Sequence, residues 1–243
     1  MPGLLCAFSS AIEDNSDPAI FTKGNETNDD LFNTNIINIE TNASRADKFI
    51  VELNRISTIL IRTITLCHLS EINHIENYLY VVIRQSLERQ APTLNWLNND
   101  NVKKVNDSAK KVSKEIHRFK GILRFSQLID NTYFANFAPD HNIIIPLARH
   151  FKERLASEKW IIRDTGRKMA IAYENNSFHQ LDEDETEELN SAIFANNELT
   201  IRKLWLNFFK SVAIPERKNP KLQQQLIPKR YWKYLTEKKH TET

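Results

Sequence analysis

Glycine is scarce in this sequence, at 4 of 243 residues. The phosphate-binding loops of nucleotide enzymes need glycines at fixed spacing, and neither a GxGxxG nor a GxxxxGK spacing occurs. The sequence therefore argues against nucleotide-dependent catalysis of these two kinds. A GxSxG turn, which presents the nucleophile of α/β-hydrolases, is absent as well.

Cysteine is equally sparse, because Cys6 and Cys67 are the only two cysteines. Two cysteines without a CxxC spacing indicate neither a disulfide framework nor a zinc or iron–sulfur site. The seven histidines show no HxxxH or HExxH spacing. We therefore predict no metal site, no cofactor, and a reducing, cytoplasmic setting.

Long hydrophobic runs are also missing. No apolar stretch approaches the roughly 20 residues that a helix needs to cross a bilayer. The N-terminal run "LLCAF" is not preceded by the basic residues that begin a secretory signal peptide. We expect a protein that makes no membrane contact.

Charge is balanced in total but uneven along the chain. The 33 Lys and Arg residues face 31 Asp and Glu residues, so the net charge is +2. Residues 182–188 read "DEDETEE", which is typical of a solvated approach to a helix, whereas residues 216–243 contain eight Lys or Arg and three Glu. The basic chain end is a candidate contact for a phosphate-bearing partner.

The first half of the chain shows the spacing of amphipathic helices. Apolar residues recur at steps of three and four, most clearly in one stripe that contains Val102, Val105, Ala109, Val112 and Ile116. We predict a mainly helical N-terminal part over residues 1–118 and an α+β part over residues 119–243. The two parts are expected to form one continuous compact unit.

The second half alternates strand-like and helix-like segments. "GILRFSQL", "TYFANFAP", "KWIIRD" and "KMAIAYE" have the apolar and β-branched character of strands, in two pairs separated by turn residues. "NIIIPLARHFKERL" and "ELTIRKLWLNFFKSVA" have helical spacing. The order strand, strand, helix, strand, strand, helix predicts an α+β fold, with an antiparallel sheet covered by helices on one face.

Basic and aromatic residues alternate at the junction between these halves. "EIHRFKGILRF" at residues 115–125 places four basic residues around Phe119 and Phe125: His117, Arg118, Lys120 and Arg124. Such an edge could contact phosphates and stack on a base. The alternative, which composition favours, is that the phenylalanines are core and the cations face water.

An acidic residue and a histidine are adjacent in "FAPDHNI". Asp140 and His141 fall between a predicted strand and a predicted helix, where a carboxylate beside a histidine could support catalytic proton transfer. The alternative is that Asp140 or Asn142 caps the helix and His141 is a turn residue. Because no nucleophile or metal cluster is visible nearby, capping is the favoured interpretation.

The C-terminal stretch "ERKNPKLQQQLIPKRYWKY" at residues 216–234 is the richest of these features. Cations that can neutralise phosphates alternate with flat aromatic rings on which bases can stack. The candidate contacts are Arg217, Lys218, Arg230, Tyr231, Trp232 and Lys233. The alternative is a polar tail whose Tyr231 and Trp232 fold back onto the core.

Four of these stretches carry a resemblance to a known bacterial family. They are "HRFKGILRF", "PDHN", "KWIIRD" and "FFKSVAIPERKNPKLQQQLIPKRYWKYL". In this order they resemble the family described as "probable DNA metabolism protein", a domain of unknown function. Members usually begin with a short strand and a turn similar to "YDGSF", whereas this chain starts on "LLCAF", so we expect one strand fewer and an unpaired sheet edge.

The resemblance implies a role in DNA repair or modification without assigning a reaction. Such proteins stand alone or are fused to a uracil-DNA-glycosylase-like domain, and the stand-alone form is typically encoded beside a radical SAM protein. We expect a non-enzymatic accessory that binds DNA, a radical SAM partner, or both. The alternatives are a DNA-processing enzyme that uses Asp140 and His141, such as a base-acting hydrolase, and a module that binds only protein.

Overall fold

A computed structural model describes residues 1–16, 21, 36–191 and 193–238. Its contacts group into two units, Met1–Ser113 and Lys114–Thr243. The predicted boundary between residues 118 and 119 and the boundary between the units both fall within one long helix, Asp100–Ile122. That the chain forms one continuous compact unit stays a prediction.

The first unit is helical. Its core is built from stripes of large apolar residues, among them Phe8, Leu53, Leu60 and Leu79, which are almost completely buried. Side chains at two helix starts satisfy free backbone N–H groups, since Asn42 and Ser57 accept hydrogen bonds from residues in the first turn. The helices are α1 (Pro2–Glu13), α2 (Ala43–Ile56), α3 (Thr58–Ser70), α4 (Ile75–Glu88) and α5 (Asp100–Ile122), of which α5 continues into the second unit.

The described part of the second unit contains a sheet and further helices, which confirms the α+β class. The sheet has the order β1-β2-β3-β4-β5. Its strands are β1 (Ser126–Gln127), β2 (Tyr133–Phe137), β3 (Trp160–Asp164), β4 (Met169–Glu174) and β5 (Ser177–Leu181). The helices are α6 (Ile144–Arg154), α7 (Glu183–Glu188), α8 (Glu198–Val212) and α9 (Pro220–Leu226). Short 3₁₀ segments cover Leu189–Ser191, Pro215–Arg217 and Lys229–Tyr234.

The sheet differs from the expected antiparallel arrangement at its centre. β2 and β3 are parallel, whereas the other three neighbouring pairs are antiparallel. The helix α6 connects β2 to β3, and a crossover of this length returns the chain in the same direction. The first predicted strand is also shorter than expected, because α5 continues to Ile122 and only Ser126–Gln127 pair with β2.

The strand β5 was not predicted from the sequence. It follows β4 through the two residues Asn175 and Asn176, whose φ angles of 50° and 62° lie in the left-handed region. Two-residue hairpin turns require this conformation at both positions, and asparagine adopts it more readily than most residues do. The pair "NN" is therefore the local signal that a further strand follows β4.

Within the described ranges, no helix combines the length and the apolar character that a bilayer crossing needs.

The two cysteines allow a test of the helical core. Both are fully buried, and burial raises the pKa of the Cys67 thiol to about 11. Because the thiolate is the reactive form, we expect a thiol-specific disulfide reagent at mildly alkaline pH to label the native protein only as fast as the helical unit opens. Stopped-flow labelling checks this, with the denatured protein as the control. Labelling of either thiol at the rate of a free peptide thiol would contradict the described core.

Candidate functional site

A buried carboxylate lies at the centre of the second unit. Glu115 is on α5 and is only 3% exposed. It accepts the backbone N–H of Asp140 at 2.8 Å and that of His141 at 3.0 Å. These contacts hold residues 139–141 against α5. We call these residues the 139–141 loop; they are part of the connection between β2 and α6.

Two side chains complete the shell around Glu115. The His141 Nδ1 atom lies 2.5 Å from one carboxylate oxygen, and the Tyr231 hydroxyl donates to the other. Tyr231 is 1% exposed, and its ring packs edge-on against Phe119 at a centroid distance of 4.9 Å. One carboxylate therefore ties α5, the 139–141 loop and the C-terminal 3₁₀ segment together.

These contacts shift the acidities of the group. Burial by itself would raise the pKa of Glu115, but the hydrogen bonds from His141, Tyr231 and the Asp140 N–H outweigh burial and hold that pKa below its usual value. Burial, and next the hydrogen bond to Glu115, raise the pKa of Tyr231 well above that of a free tyrosine. At neutral pH the pair is thus an ionised carboxylate and a protonated phenol.

The outer face of the 139–141 loop is held by two arginines. The Arg230 guanidinium pairs with the Asp140 carboxylate and lies 4.7 Å from the Tyr231 ring centroid. Arg167 donates to the backbone carbonyls of Pro139 at 3.2 Å and Asp140 at 3.0 Å. Arg167 is itself held by Asp164, a fully buried carboxylate 3.0 Å away. The loop is thus fixed through both its N–H groups and its carbonyls.

The capping interpretation of Asp140 and Asn142 is wrong. The helix α6 begins at Ile144, and its N-cap is Ile143, whose side chain makes no capping hydrogen bond. Asp140 lies too far before the helix start to cap it, and its carboxylate is occupied by Arg230 instead.

The catalytic roles of Asp140 and His141 remain predictions, and the structure pairs them differently from the sequence hypothesis. The carboxylate that contacts the His141 ring is Glu115. In the described chain, Nδ1 is the only ring nitrogen of His141 with a hydrogen-bond partner, so Nε2 could exchange a proton with a ligand. No group of three or more metal-ligating side chains occurs among the described residues.

The structure brings together the two basic stretches that the sequence shows far apart. The Arg118 guanidinium donates to the Gln225 carbonyl at 3.4 Å, and Phe119 contacts Tyr231. Arg124 reaches the Glu237 carboxylate at 3.2 Å. The end of α5 therefore lies along the segment of residues 220–238.

Five of the ten predicted DNA-contacting side chains are engaged internally, two of them being Arg118, which bonds the Gln225 carbonyl, and Arg230, which pairs with Asp140. Arg124 also donates to the Gly121 carbonyl at 2.8 Å and lies 5.2 Å from the centroid of the Trp205 ring. Tyr231 is buried against Glu115 and Phe119. The Trp232 indole donates to the Ile227 carbonyl at 2.8 Å, while the Lys238 ammonium lies over its ring at 4.4 Å. These side chains anchor the C-terminal segment.

The remaining predicted cations reach solvent. They are His117, Lys120, Arg217, Lys218 and Lys233, to which we add Lys229, and all six are exposed. Within the described residues, the side chains of these six make neither a salt bridge nor a hydrogen bond. Lys233 lies 5.0 Å from the centroid of the Tyr234 ring. We call these six residues the basic surface.

An apolar surface lies on α8, which precedes the basic C-terminal segment. Phe208 is 55% exposed and Leu204 is 62% exposed, which is far more than large apolar residues in a helix normally show. We call the following set the α8 face: Ile201, Leu204, Phe208, Phe209 and Val212.

The residue that the sequence interpretation missed is Glu115. It lies three residues after Val112 and four before Phe119, both of which are fully buried. A charged residue in the register of a buried stripe is the signal, because charged side chains are almost never fully buried unless they are paired. The sequence analysis continued the buried stripe from Val112 to Ile116, and Glu115 was therefore not considered as a buried residue.

Comparison with known proteins identifies a domain and no activity. A family model described as a domain of unknown function, DUF4130, matches residues 73–237. No curated protein and no solved structure matches the chain.

Replacing Glu115 with glutamine tests the role of the buried carboxylate. We expect the free energy of unfolding near neutral pH to fall by about 3 kcal/mol, because four donors lose an ionised acceptor. The depressed pKa of Glu115 adds stability above the unfolded-state value, near 4.3, and that stability is lost as pH falls through the folded value. The difference between wild type and Glu115→Gln should therefore shrink at about pH 4 and below.

Urea unfolding followed by tryptophan fluorescence measures this difference, since Trp160, Trp205 and Trp232 all lie in the second unit. The control is Glu158→Gln, which removes an exposed carboxylate that forms no salt bridge within the described chain. Equal stabilities of Glu115→Gln and Glu158→Gln near neutral pH would contradict the anchoring role.

Proposed function

This chain belongs to the DUF4130 family, a domain of unknown function, and we propose that it is a DNA-binding accessory protein of DNA repair or modification. The link to DNA comes from the resemblance of its motifs to the "probable DNA metabolism protein" family. The observation that carries the proposal is the placement of residues 117–120 beside the segment of residues 220–238. Two basic stretches about a hundred residues apart are thereby brought into contact through Arg118 and Phe119.

The proposal assigns phosphate binding to the basic surface. Exposed lysine and arginine side chains without acidic partners displace counterions from DNA at little cost, because they need not first break an internal ion pair. Tyr231 does not stack on a base, since its ring is buried. Its role is to fix Arg230, Lys229 and Lys233 relative to the end of α5.

Binding of this kind has low sequence specificity. Lysines contact phosphates, which carry no sequence information directly, and the aromatic rings that could read bases are engaged in the protein. A partner enzyme would then supply the recognition of a lesion or a base. Phosphate binding by this chain and base recognition by a partner agree with the expectation that it acts together with a radical SAM protein or a uracil-DNA-glycosylase-like protein.

Removing single cations should weaken DNA binding without changing its sequence preference. We expect Lys218→Ala or Lys229→Ala to lower affinity roughly 3- to 10-fold at low salt, and to reduce the slope of log affinity against log salt by about 1. Fluorescence anisotropy with a labelled duplex at several salt concentrations measures both quantities. The matched control is Lys159→Ala, because Lys159 directly precedes β3 and its ammonium lies 3.6 Å from the Glu174 carboxylate.

Substitutions of Asp140 and Arg230 should change DNA affinity in opposite directions. Asp140→Asn removes the charge that neutralises Arg230 and should tighten binding, whereas Arg230→Ala should weaken it. No binding by wild type at low salt, or equal effects of Lys159→Ala and Lys229→Ala, would overturn the proposed DNA contact.

A second candidate function is docking of a partner protein, and the α8 face favours it. Monomeric proteins rarely expose several large apolar side chains side by side, and such patches mark protein interaction sites. The end of this helix leads into the exposed Ile214 and the basic Arg217 and Lys218. We assign this face to the partner enzyme and the basic surface to DNA.

Charge substitutions on α8 test this assignment. Leu204→Glu and Phe208→Glu place a carboxylate in the middle of an apolar interface and should abolish co-purification with a radical SAM protein encoded beside the gene. DNA affinity should change less than 2-fold after correction for the added charge, which Asn207→Glu on the same helix provides as a control. Loss of DNA binding with retained co-purification would reverse the assignment.

A further inference from the structure

The sheet of the second unit has one covered edge and one open edge. Beyond β1, the Ala195 N–H donates to the Gln127 carbonyl and the Ile129 N–H to the Ile193 carbonyl, so a further segment continues the pairing. Beyond β5, no described strand continues the sheet. None of the five residues of β5 is Asp, Glu, Lys or Arg, and four of them are exposed.

The hairpin turn determines which β5 backbone groups point outward. The residues that flank a two-residue turn form a hydrogen-bonded pair, and such pairs then alternate along the strands. Glu174 faces Ser177, and Ala172 faces His179. The N–H and C=O groups of Ser177, His179 and Leu181 are therefore used by β4. Those of Phe178 and Gln180 point away from the sheet and are free to bond a further strand.

The side chains of Phe178 and Gln180 line a groove on the same face as α6. The groove holds about 250 Å³ and is completed by Ile145, Ala148 and Arg149 of α6 and Ile171 of β4. Phe178 and Ile145 are 38% and 43% exposed, although both are large apolar residues. The open edge thus has outward backbone groups and an apolar groove at the same two residues.

We propose that β5 pairs with β5 of a second copy of this chain, antiparallel and centred on His179. In this register Phe178 of each copy lies opposite Gln180 of the other, so every residue with outward backbone groups meets another such residue. Each contact of this kind forms two N–H···O=C bonds, which gives four across the pair of strands. His179 lies opposite its own copy as a pair without backbone hydrogen bonds.

The groove fits this register. Cross-strand partners project to the same face with Cβ atoms about 5 Å apart, so Phe178 of the second copy lies beside Gln180 and over the groove. There it buries its ring against Ile145 and meets the Arg149 guanidinium, which has no partner among the described residues. The two-fold symmetry makes the same contact twice.

Charge complementarity favours a second copy over an unrelated strand. The acidic helix α7 follows the end of β5, and the Lys152 ammonium lies 2.9 Å from the Asn176 carbonyl at the start of β5. Antiparallel pairing places the acidic end of each strand beside the Lys152 end of the other. A parallel pairing would place the two acidic helices together.

Sedimentation equilibrium and a backbone substitution test the pairing. We expect the wild-type chain to dimerise reversibly and Gln180→Pro to raise the dimer dissociation constant at least 10-fold, because proline removes an outward N–H without removing a bond to β4. Gln180→Ala keeps the N–H and is the matched control. Circular dichroism shows whether Gln180→Pro still folds.

Disulfide trapping gives a second test that does not depend on proline. Pairs without backbone hydrogen bonds have Cα atoms about 4.5 Å apart, which suits a disulfide, and the native cysteines are buried. His179→Cys should form a covalent dimer under mild oxidation, whereas Ser177→Cys should not, because in this register Ser177 lies opposite Leu181 of the other copy. A monomeric wild type at high concentration, or equal trapping of the two variants, would overturn the proposal.

Discussion

The Glu115 carboxylate is the interaction on which the second unit depends. A buried charge is costly unless hydrogen bonds replace its water, and here two backbone N–H groups, an imidazole and a phenol do so. Each donor comes from a segment that is distant in sequence, so satisfying one carboxylate requires the 139–141 loop and Tyr231 to reach α5 together. The position of the C-terminal segment follows from this requirement.

Anchoring by Tyr231 also explains how the cations divide into two groups. Arg124, Arg167 and Arg230 are neutralised by Glu237, Asp164 and Asp140, and they hold segments in place. Lys120, Lys218, Lys229, Lys233 and Arg217 have no such partners in the described chain and remain available to a polyanion. Arginine forms planar, multidentate contacts more readily than lysine, which is consistent with arginines holding the loop and lysines dominating the solvent side.

Much of the fold could be predicted because it depends on local patterns. The helical stripes and the strands β2, β3 and β4 were found from periodicity, which needs only contacts within a few residues. The strand β5 was missed because "SFHQL" is exposed on most of its length and lacks alternation. The parallel pairing of β2 with β3 was missed because strand order is set by contacts across the crossover helix α6.

The candidate site could be predicted only in part. The DNA contacts of His117, Lys120, Lys218 and Lys233 stay predictions. Tyr231 was predicted to contact DNA, with folding back onto the core as the alternative, and its hydroxyl donates to the buried Glu115. Charge and aromatic character are visible in a sequence, whereas the burial of a given ring depends on what covers it. The carboxylate that covers Tyr231 lies 116 residues earlier.

By itself the sequence determined the helical stripes, the strands β2, β3 and β4, and where positive charge is concentrated along the chain. Only the tertiary structure decided which of those charges are available, because Arg230 meets Asp140 across 90 residues and Arg124 meets Glu237 across 113. Helical and extended periodicity arise from neighbours within a turn or a strand. Neutralisation of a charge depends on distant residues that meet only when the chain is folded.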